Sequence, residues 1–141
     1  LRRRRCLIPA DGFYEWQKRE GGPKQPFEVS RVDGAPFAFA GLWEHWQGPN
    51  GEELESCAIV TTEANRLMRP IHHRMPVILA PQDYAAWLAR DQERPDTVLP
   101  LLAPREWEGL RTRPVSSYVN NARHEGPACI APAGADAPEP E

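Results

Sequence analysis

The sequence predicts an α+β protein: a mainly antiparallel, curved, barrel-like β-sheet with short peripheral helices. Three observations carry that reading. Most of the chain reads as short strands rich in β-branched and aromatic residues. Glycine, proline and an Asp-Gly pair punctuate those strands. Only two longer stretches show helical spacing, each behind a proline.

The elements follow in order. CLIPADGFYEW (6–16) starts apolar, turns at residues 9–12 and runs on with aromatics. PFEVSRV alternates, Asp33-Gly34 is a turn signal, and PFAFAGLWEHW returns, so 26–46 predicts a hairpin. Residues 47–53 form a polar loop, and SCAIVTT is an apolar, β-branched strand. EANRLMRPI predicts a short helix ended by Pro70. RMPVILA is another strand, with Pro76 marking an edge or bulge. PQDYAAWLARD predicts a helix with Pro81 at its start and Tyr84, Trp87 and Leu88 on one face. APREWEGL repeats that pattern around Pro104, and VSSYVNNA reads as a last strand. The Ala/Pro-rich acidic segment 126–141 cannot bury much surface and reads as a disordered tail behind a single domain, 1–125.

Composition narrows the functional classes. The 141 residues suffice for one buried core, and 40% hydrophobic with 26% charged residues is a globular balance. No apolar run reaches the length of a membrane span, and the basic run at residues 2–5 is not followed by a leader-type apolar region. Cys6, Cys57 and Cys129 are odd in number and widely spaced, which argues against a disulfide framework and for a reducing compartment, the cytoplasm. No Cys/His spacing calls for zinc, and no cofactor is implied. Net charge is -3, but the tail holds Asp136, Glu139 and Glu141 with no basic residue, so the body is neutral. Net charge therefore neither supports nor excludes nucleic acid.

Two positions invite chemistry. Glu15 lies among Phe13, Tyr14 and Trp16, and a carboxylate partly stripped of water suits proton transfer. The alternative is a strand residue facing solvent. His72 and His73 lie in IHHRMP; in an extended segment only one of them faces a given site, and His73 is expected to face away. Arg74 shares a face with His72 in such a segment and suits a phosphate. The alternative is a polar loop before a strand. Adjacent histidines are poorly placed to hold one metal with Glu15. Thr61 and Thr62 could cap the following helix, and Asn120, Asn121 and Arg123 could form a turn or hold a phosphate.

RRCLIPADGFYEW, PFAFAGLWE, CAIVTTEAN, IHHRMPVIL and VSSYVNNAR, in that order, resemble the SOS response-associated peptidase (SRAP) family across nearly all of residues 3–123. The resemblance implies a DNA-damage protein that binds single-stranded DNA at abasic sites. In that family an N-terminal cysteine condenses with the sugar aldehyde to a thiazolidine, a covalent protein–DNA link, and the same group is linked to self-cleavage. Glu15 and His72 match the family's catalytic glutamate and histidine. Arg74, Thr61 and Trp16 are the residues assigned to the bound strand.

The resemblance also marks a gap. The family domain begins before the RRC segment, so the expectation is a partial SRAP domain lacking its N-terminal part. Cys6, Cys57 and Cys129 each have their nitrogen in a peptide bond, and a thiazolidine needs a free amine. The competing readings are a crosslinking enzyme complete only with a further segment, a non-catalytic single-strand binder or decayed relic, and a general peptidase. The expected partner is single-stranded DNA, with no membrane and no metal; the location is cytoplasmic and nucleoid-associated; the complete protein is expected to be a monomer.

Overall fold

Strands β1 (Arg5–Ala10) and β2 (Gly12–Gln17) are separated only by Asp11, yet they enter different sheets. The computed structural model describes residues 4–89 and 95–134. The further strands are β3 (Gln25–Arg31), β4 (Phe37–Gln47), β5 (Glu53–Ile59), β6 (Thr61–Glu63), β7 (Arg74–Pro76), β8 (Ile78–Leu79) and β9 (Leu110–Pro114). The one α-helix among the described residues is α1 (Tyr84–Leu88). The chain divides into two units, each assembled from three segments.

The first unit comprises Leu1–Ala10, Pro36–Glu63 and Arg74–Arg105. Its main sheet runs β1–β4–β5, with β8 also on β4, and every pairing is antiparallel. A second, two-stranded sheet pairs β6 with β7. Gly41 on β4 lets the side chains of β1 approach closely: a Cβ there would lie 2.8 Å from both Cys6 Sγ and Ile8 Cδ1. Pro76 ends β7, as its missing N–H requires. Val77 then leaves the strand line, donating to Val60 O (2.8 Å) and accepting from Ala40 N (2.9 Å).

The core of this unit is Ala40, Val77, Leu79, Trp87 and Val98, with Leu7, Leu42, Val60 and Tyr84 packed against it. Trp87 is fully buried, and its indole N–H donates to Cys6 O at 2.8 Å, so the one polar atom of the ring is satisfied. Arg5 is buried as well, and its guanidinium donates to the carbonyls of Trp87 and Ala89 at the end of α1. A cation there meets the unpaired carbonyls and the negative end of the helix.

The second unit comprises Asp11–Ala35, Ala64–His73 and Glu106–Glu141. Its sheet is β2–β3–β9, antiparallel throughout, with β3 in the middle. Val29, Met68 and Val115 are fully buried. Across the strands Tyr14 faces Glu28 and Glu28 faces Arg113, whose guanidinium lies 3.0 Å from the Glu28 carboxylate. Burial pushes the Tyr14 hydroxyl up, helped by the acidic neighbours Glu28 and Asp11.

The α+β class and the antiparallel pairing are as the sequence implies. The barrel-like closure is not: the strands form separate sheets of four, three and two, and none closes on itself. The hairpin over 26–46 is also corrected, because β3 and β4 lie in different sheets. Asp33 caps the turn by accepting from Arg31 and from Ala35 N (3.0 Å), and the chain leaves through Pro36 rather than folding back. EANRLMRPI forms successive turns instead of a helix. Asn65 Oδ1 takes the Met68 N–H (3.0 Å), and Pro70 has no N–H to continue. The helix at 81–88 is present with Trp87 inward, but Leu88 is exposed.

APREWEGL is not helical; Glu106 accepts from Arg66 N (3.1 Å), and Gly109, at φ +81°, turns the chain into β9. VSSYVNNA is not the last strand. Ser116 Oγ accepts from Tyr118 N (3.2 Å) and starts a 3-10 turn at Ser117–Asn120. Within the segment composed like a tail, Pro127–Ile130 forms another 3-10 turn and Val115 pairs with Pro132; residues 135–141 lie outside the described residues. No helix among the described residues is long and apolar enough to cross a membrane.

Candidate active site

Glu15 is carried by β2, opposite Phe27 of β3. Alternation puts Phe13 and Glu15 on one face of the strand and Tyr14 and Trp16 on the other. The Glu15 carboxylate is oriented by its own strand: Oε1 accepts from Trp16 N at 3.0 Å. Oε2 lies 3.9 Å from His72 Nδ1. That separation is too long for a direct hydrogen bond and short enough for one bridging oxygen. The Glu15 side chain is 22% exposed and that of His72 36%, so both are sheltered yet reachable. The pair can accept and return protons to a group lodged between them.

His72 is delivered by the turns of Ala64–His73. His72 N donates to Met68 O (2.9 Å), and Met68 is fully buried, so the turn is anchored in the core of its unit. Ala64 N donates to His73 O (3.0 Å), which closes the segment. Gln17 Nε2, two residues beyond Glu15, donates to Pro70 O at 2.8 Å. One hydrogen bond therefore links the strand of the glutamate to the turn of the histidine.

His73 does not face away. Its ring centroid lies 4.4 Å from that of His72, at a tilt of 34°. The alternation rule fails because residues 72 and 73 lie outside any strand. Trp16, assigned to the strand of DNA, is half-buried, and its indole N–H donates to Asn120 Oδ1 at 2.7 Å. Gln17 is a support that sequence reasoning left unused, although a polar residue flanking GFYEW was its signal. Asn120, read from the sequence as a turn or phosphate residue, here accepts from the Trp16 indole.

Thr61 and Arg74 meet in the first unit. They sit at opposite ends of the β6–β7 pair, where Thr61 faces Pro76 and Glu63 faces Arg74. Arg74 Nη2 donates to Thr61 O (2.8 Å) and Thr61 Oγ1 (2.9 Å). Thr61 therefore holds the guanidinium rather than capping a helix, and Arg74 is exposed. The basic run divides as well. Arg5 is buried against α1, while Arg4 pairs with Glu44 and lies 5.4 Å over the Trp43 ring. Burial pushes the Cys6 thiol up, with Cys57 adding to it, which makes Cys6 a poor nucleophile. Among the described residues no group of three or more His, Cys, Asp or Glu is placed to hold a metal ion.

Comparison with known proteins identifies the family. The family model for SOS response associated peptidase (SRAP) matches residues 1–122. Abasic site processing protein YoqW of Bacillus subtilis (strain 168) is 41% identical over 127 residues, covering 90% of this chain and 57% of the relative. Abasic site processing protein HMCES of Rattus norvegicus is 33% identical over 156 residues, covering 92% of this chain and 44% of the relative. A crystal structure of a protein from Bacteroides thetaiotaomicron superposes with a TM-score of 0.82 at 28% identity, over 94% of this chain and 58% of that one. The chain thus spans about half the length of the curated relatives it matches. The chain belongs to the SOS response associated peptidase (SRAP) family.

Proposed function

We propose that this chain supplies the acid–base pair and part of the strand-holding surface of a domain that processes abasic sites in single-stranded DNA. The observation that carries the reading is the sheltered Glu15–His72 pair, 3.9 Å apart, in a chain whose relatives are named for abasic site processing. An abasic sugar is mostly a closed ring. His72 gives a proton to the ring oxygen as the anomeric hydroxyl loses one, which frees the aldehyde. Glu15 shuttles the protons that follow. A terminal amine adds to the aldehyde, water leaves, and the thiol of the same residue closes a thiazolidine. Arg74, held by Thr61, contacts a phosphate, and Trp16 lies beside the strand; neither reads sequence. The location that suits this work is the cytoplasm, on the nucleoid.

The amine and thiol must come from one residue. In these 141 residues each cysteine has its nitrogen in a peptide bond. The chain by itself is therefore expected to bind a labelled single-stranded oligonucleotide carrying an abasic site without forming a covalent band on a denaturing gel. A robust band would overturn this division of labour. Absence of binding would overturn the strand-holding role. Retention of every activity in Glu15→Gln would favour a purely binding protein.

A further inference from the structure

The loop between β2 and β3 and the segment after β9 enclose a cavity of about 330 Å³ on the second unit. Its lining falls within residues 19–26, 115–120 and 133–134. Backbone bonds fasten the frame. Val115 N donates to Pro26 O (3.0 Å), Ser116 N to Ala131 O (2.8 Å) and Ala133 N to Pro114 O (3.2 Å). Gln25 Nε2 donates to Val115 O (2.8 Å), and Pro26 and Val115 are fully buried. The floor is therefore preformed.

The wall has the chemistry of an anion site. Arg19 and Lys24 bring two positive charges and Glu20 one negative charge. Arg31 and Arg113 of the same unit are committed to Asp33 and Glu28. Among the described residues no ion pair holds Arg19 or Lys24. Ser117 adds a hydroxyl and Asn120 an amide. Asn120 Oδ1 takes the Trp16 indole N–H (2.7 Å), so the amide NH₂ is what Asn120 has left for a ligand. Two cations with neutral donors, tempered by one carboxylate, suit a singly charged phosphodiester better than an amine. Trp16 abuts the cavity twice over. It stands opposite Pro26 across the β2–β3 pair and is bound to Asn120, and both of those residues line the cavity. A half-buried indole beside a phosphate pocket is how a single strand is held, with the ring for a base and the pocket for the backbone.

We propose that this cavity holds one backbone phosphate of a single-stranded nucleic acid whose adjoining base lies against Trp16. The site rests on the strand-binding reading given above and extends it from Arg74, in the first unit, to a second phosphate contact in the other.

Fluorescence anisotropy of the full 141-residue chain with a labelled, undamaged oligo(dT), read over a range of salt concentrations, tests it. Arg19 and Lys24 are exposed, so Arg19→Gln with Lys24→Gln should leave the circular dichroism unchanged. That double variant should weaken binding and lower the slope of log K against log salt by about 0.7, the share of one single-strand phosphate. Asn120→Asp keeps an acceptor for Trp16 and replaces the donor with a charge, so it should weaken binding too. Glu20→Gln should tighten it. Lys18 is exposed beside the cavity and outside its lining, so Lys18→Gln should change binding less than Arg19→Gln. A parent chain that binds no single strand overturns the strand reading and this site together. A parent that binds, is weakened by Arg74→Ala and is indifferent to the Arg19 and Lys24 changes overturns this site alone. Weaker binding in Glu20→Gln overturns it by marking a site for cations, and equal losses from Lys18→Gln and Arg19→Gln do so by marking diffuse charge. Inorganic phosphate that displaces the oligonucleotide as well, phosphate for phosphate, as unlabelled oligo(dT) assigns the cavity to the free ion and overturns the strand contact.

Discussion

Gln17 reaches from β2 to the carbonyl of Pro70 at 2.8 Å, and through that bond the strand bearing Glu15 and the turn bearing His72 are fastened together. Neither residue has reactive chemistry of its own. Gln17→Ala removes a single hydrogen bond, worth about 0.5–1.5 kcal/mol. Thermal unfolding should shift little, whereas processing of abasic DNA should slow in any assembly where it occurs. A large loss of stability with unaltered rate would show that the bond serves folding rather than alignment.

Glu15→Gln and His72→Asn keep shape and remove the exchangeable proton. In a reaction-competent assembly each should lower the rate by roughly 10²–10⁴-fold, the usual contribution of a positioned acid or base. Far-UV circular dichroism should stay at the parent spectrum. For two residues that serve one proton path, the double variant should lose less than the product of the single losses.

Arg74 and Thr61 give a prediction about binding. Arg74→Ala should weaken single-strand binding evenly across sequences and reduce the salt slope by about one phosphate contact. Thr61→Val removes a hydroxyl acceptor that holds the guanidinium and should have a smaller effect in the same direction. A double-mutant cycle by fluorescence anisotropy would show whether Thr61 acts through Arg74.

These residues show how far the sequence could be read. Glu15, His72 and Arg74 stood out because residue type and order matched a known pattern. Their supports did not, since Gln17 and Pro70 are 53 residues apart and Trp16 and Asn120 are 104 apart. Strand content was legible from alternation, but pairing was not. The turn at Asp33-Gly34 reads like a hairpin, and only the exit through Pro36 sends β4 to another sheet. Helix signals misled wherever a side chain competed with the backbone, as Asn65 and Ser116 do. At residues 103–110 the helical pattern lost to tertiary bonds made by Glu106 and by the Gly109 carbonyl, which accepts from Val32 N (2.7 Å).

Asp33 carries the pH prediction. The Arg31 guanidinium beside it, then the Ala35 amide, hold its carboxyl well below the usual carboxylate range. A carboxyl depressed in the folded state contributes stability above its unfolded value, and that contribution fades as the pH falls through the acid range. Asp33→Asn should therefore flatten the dependence of stability on pH at the acid end. Urea titrations of parent and variant from neutral to acid pH would show it, and parallel curves would refute it.

Trp87 carries the stability prediction. It is fully buried, and its indole satisfies Cys6 O. Trp87→Ala should cost about 3–5 kcal/mol, a large share of a domain's stability. Trp87→Phe should cost less but leave that carbonyl without its donor. Guanidinium denaturation of both would rank them.

The chain passes back and forth between its two units, from Ala10 to Asp11, from Ala35 to Pro36, from Glu63 to Ala64, from His73 to Arg74 and from Arg105 to Glu106. That weave has a consequence for biosynthesis. The first unit needs residues up to Arg105 before it can close, and the second needs β9, near the end of the chain, to complete a sheet begun at Gly12. Neither can be finished before its last segment is made, so the first unit must wait for synthesis to pass Arg105 and the second for it to pass Pro114. For the same reason no single cut can release one unit intact. Glu15 and His72 belong to two different segments of the second unit, so their approach waits on that interleaved assembly.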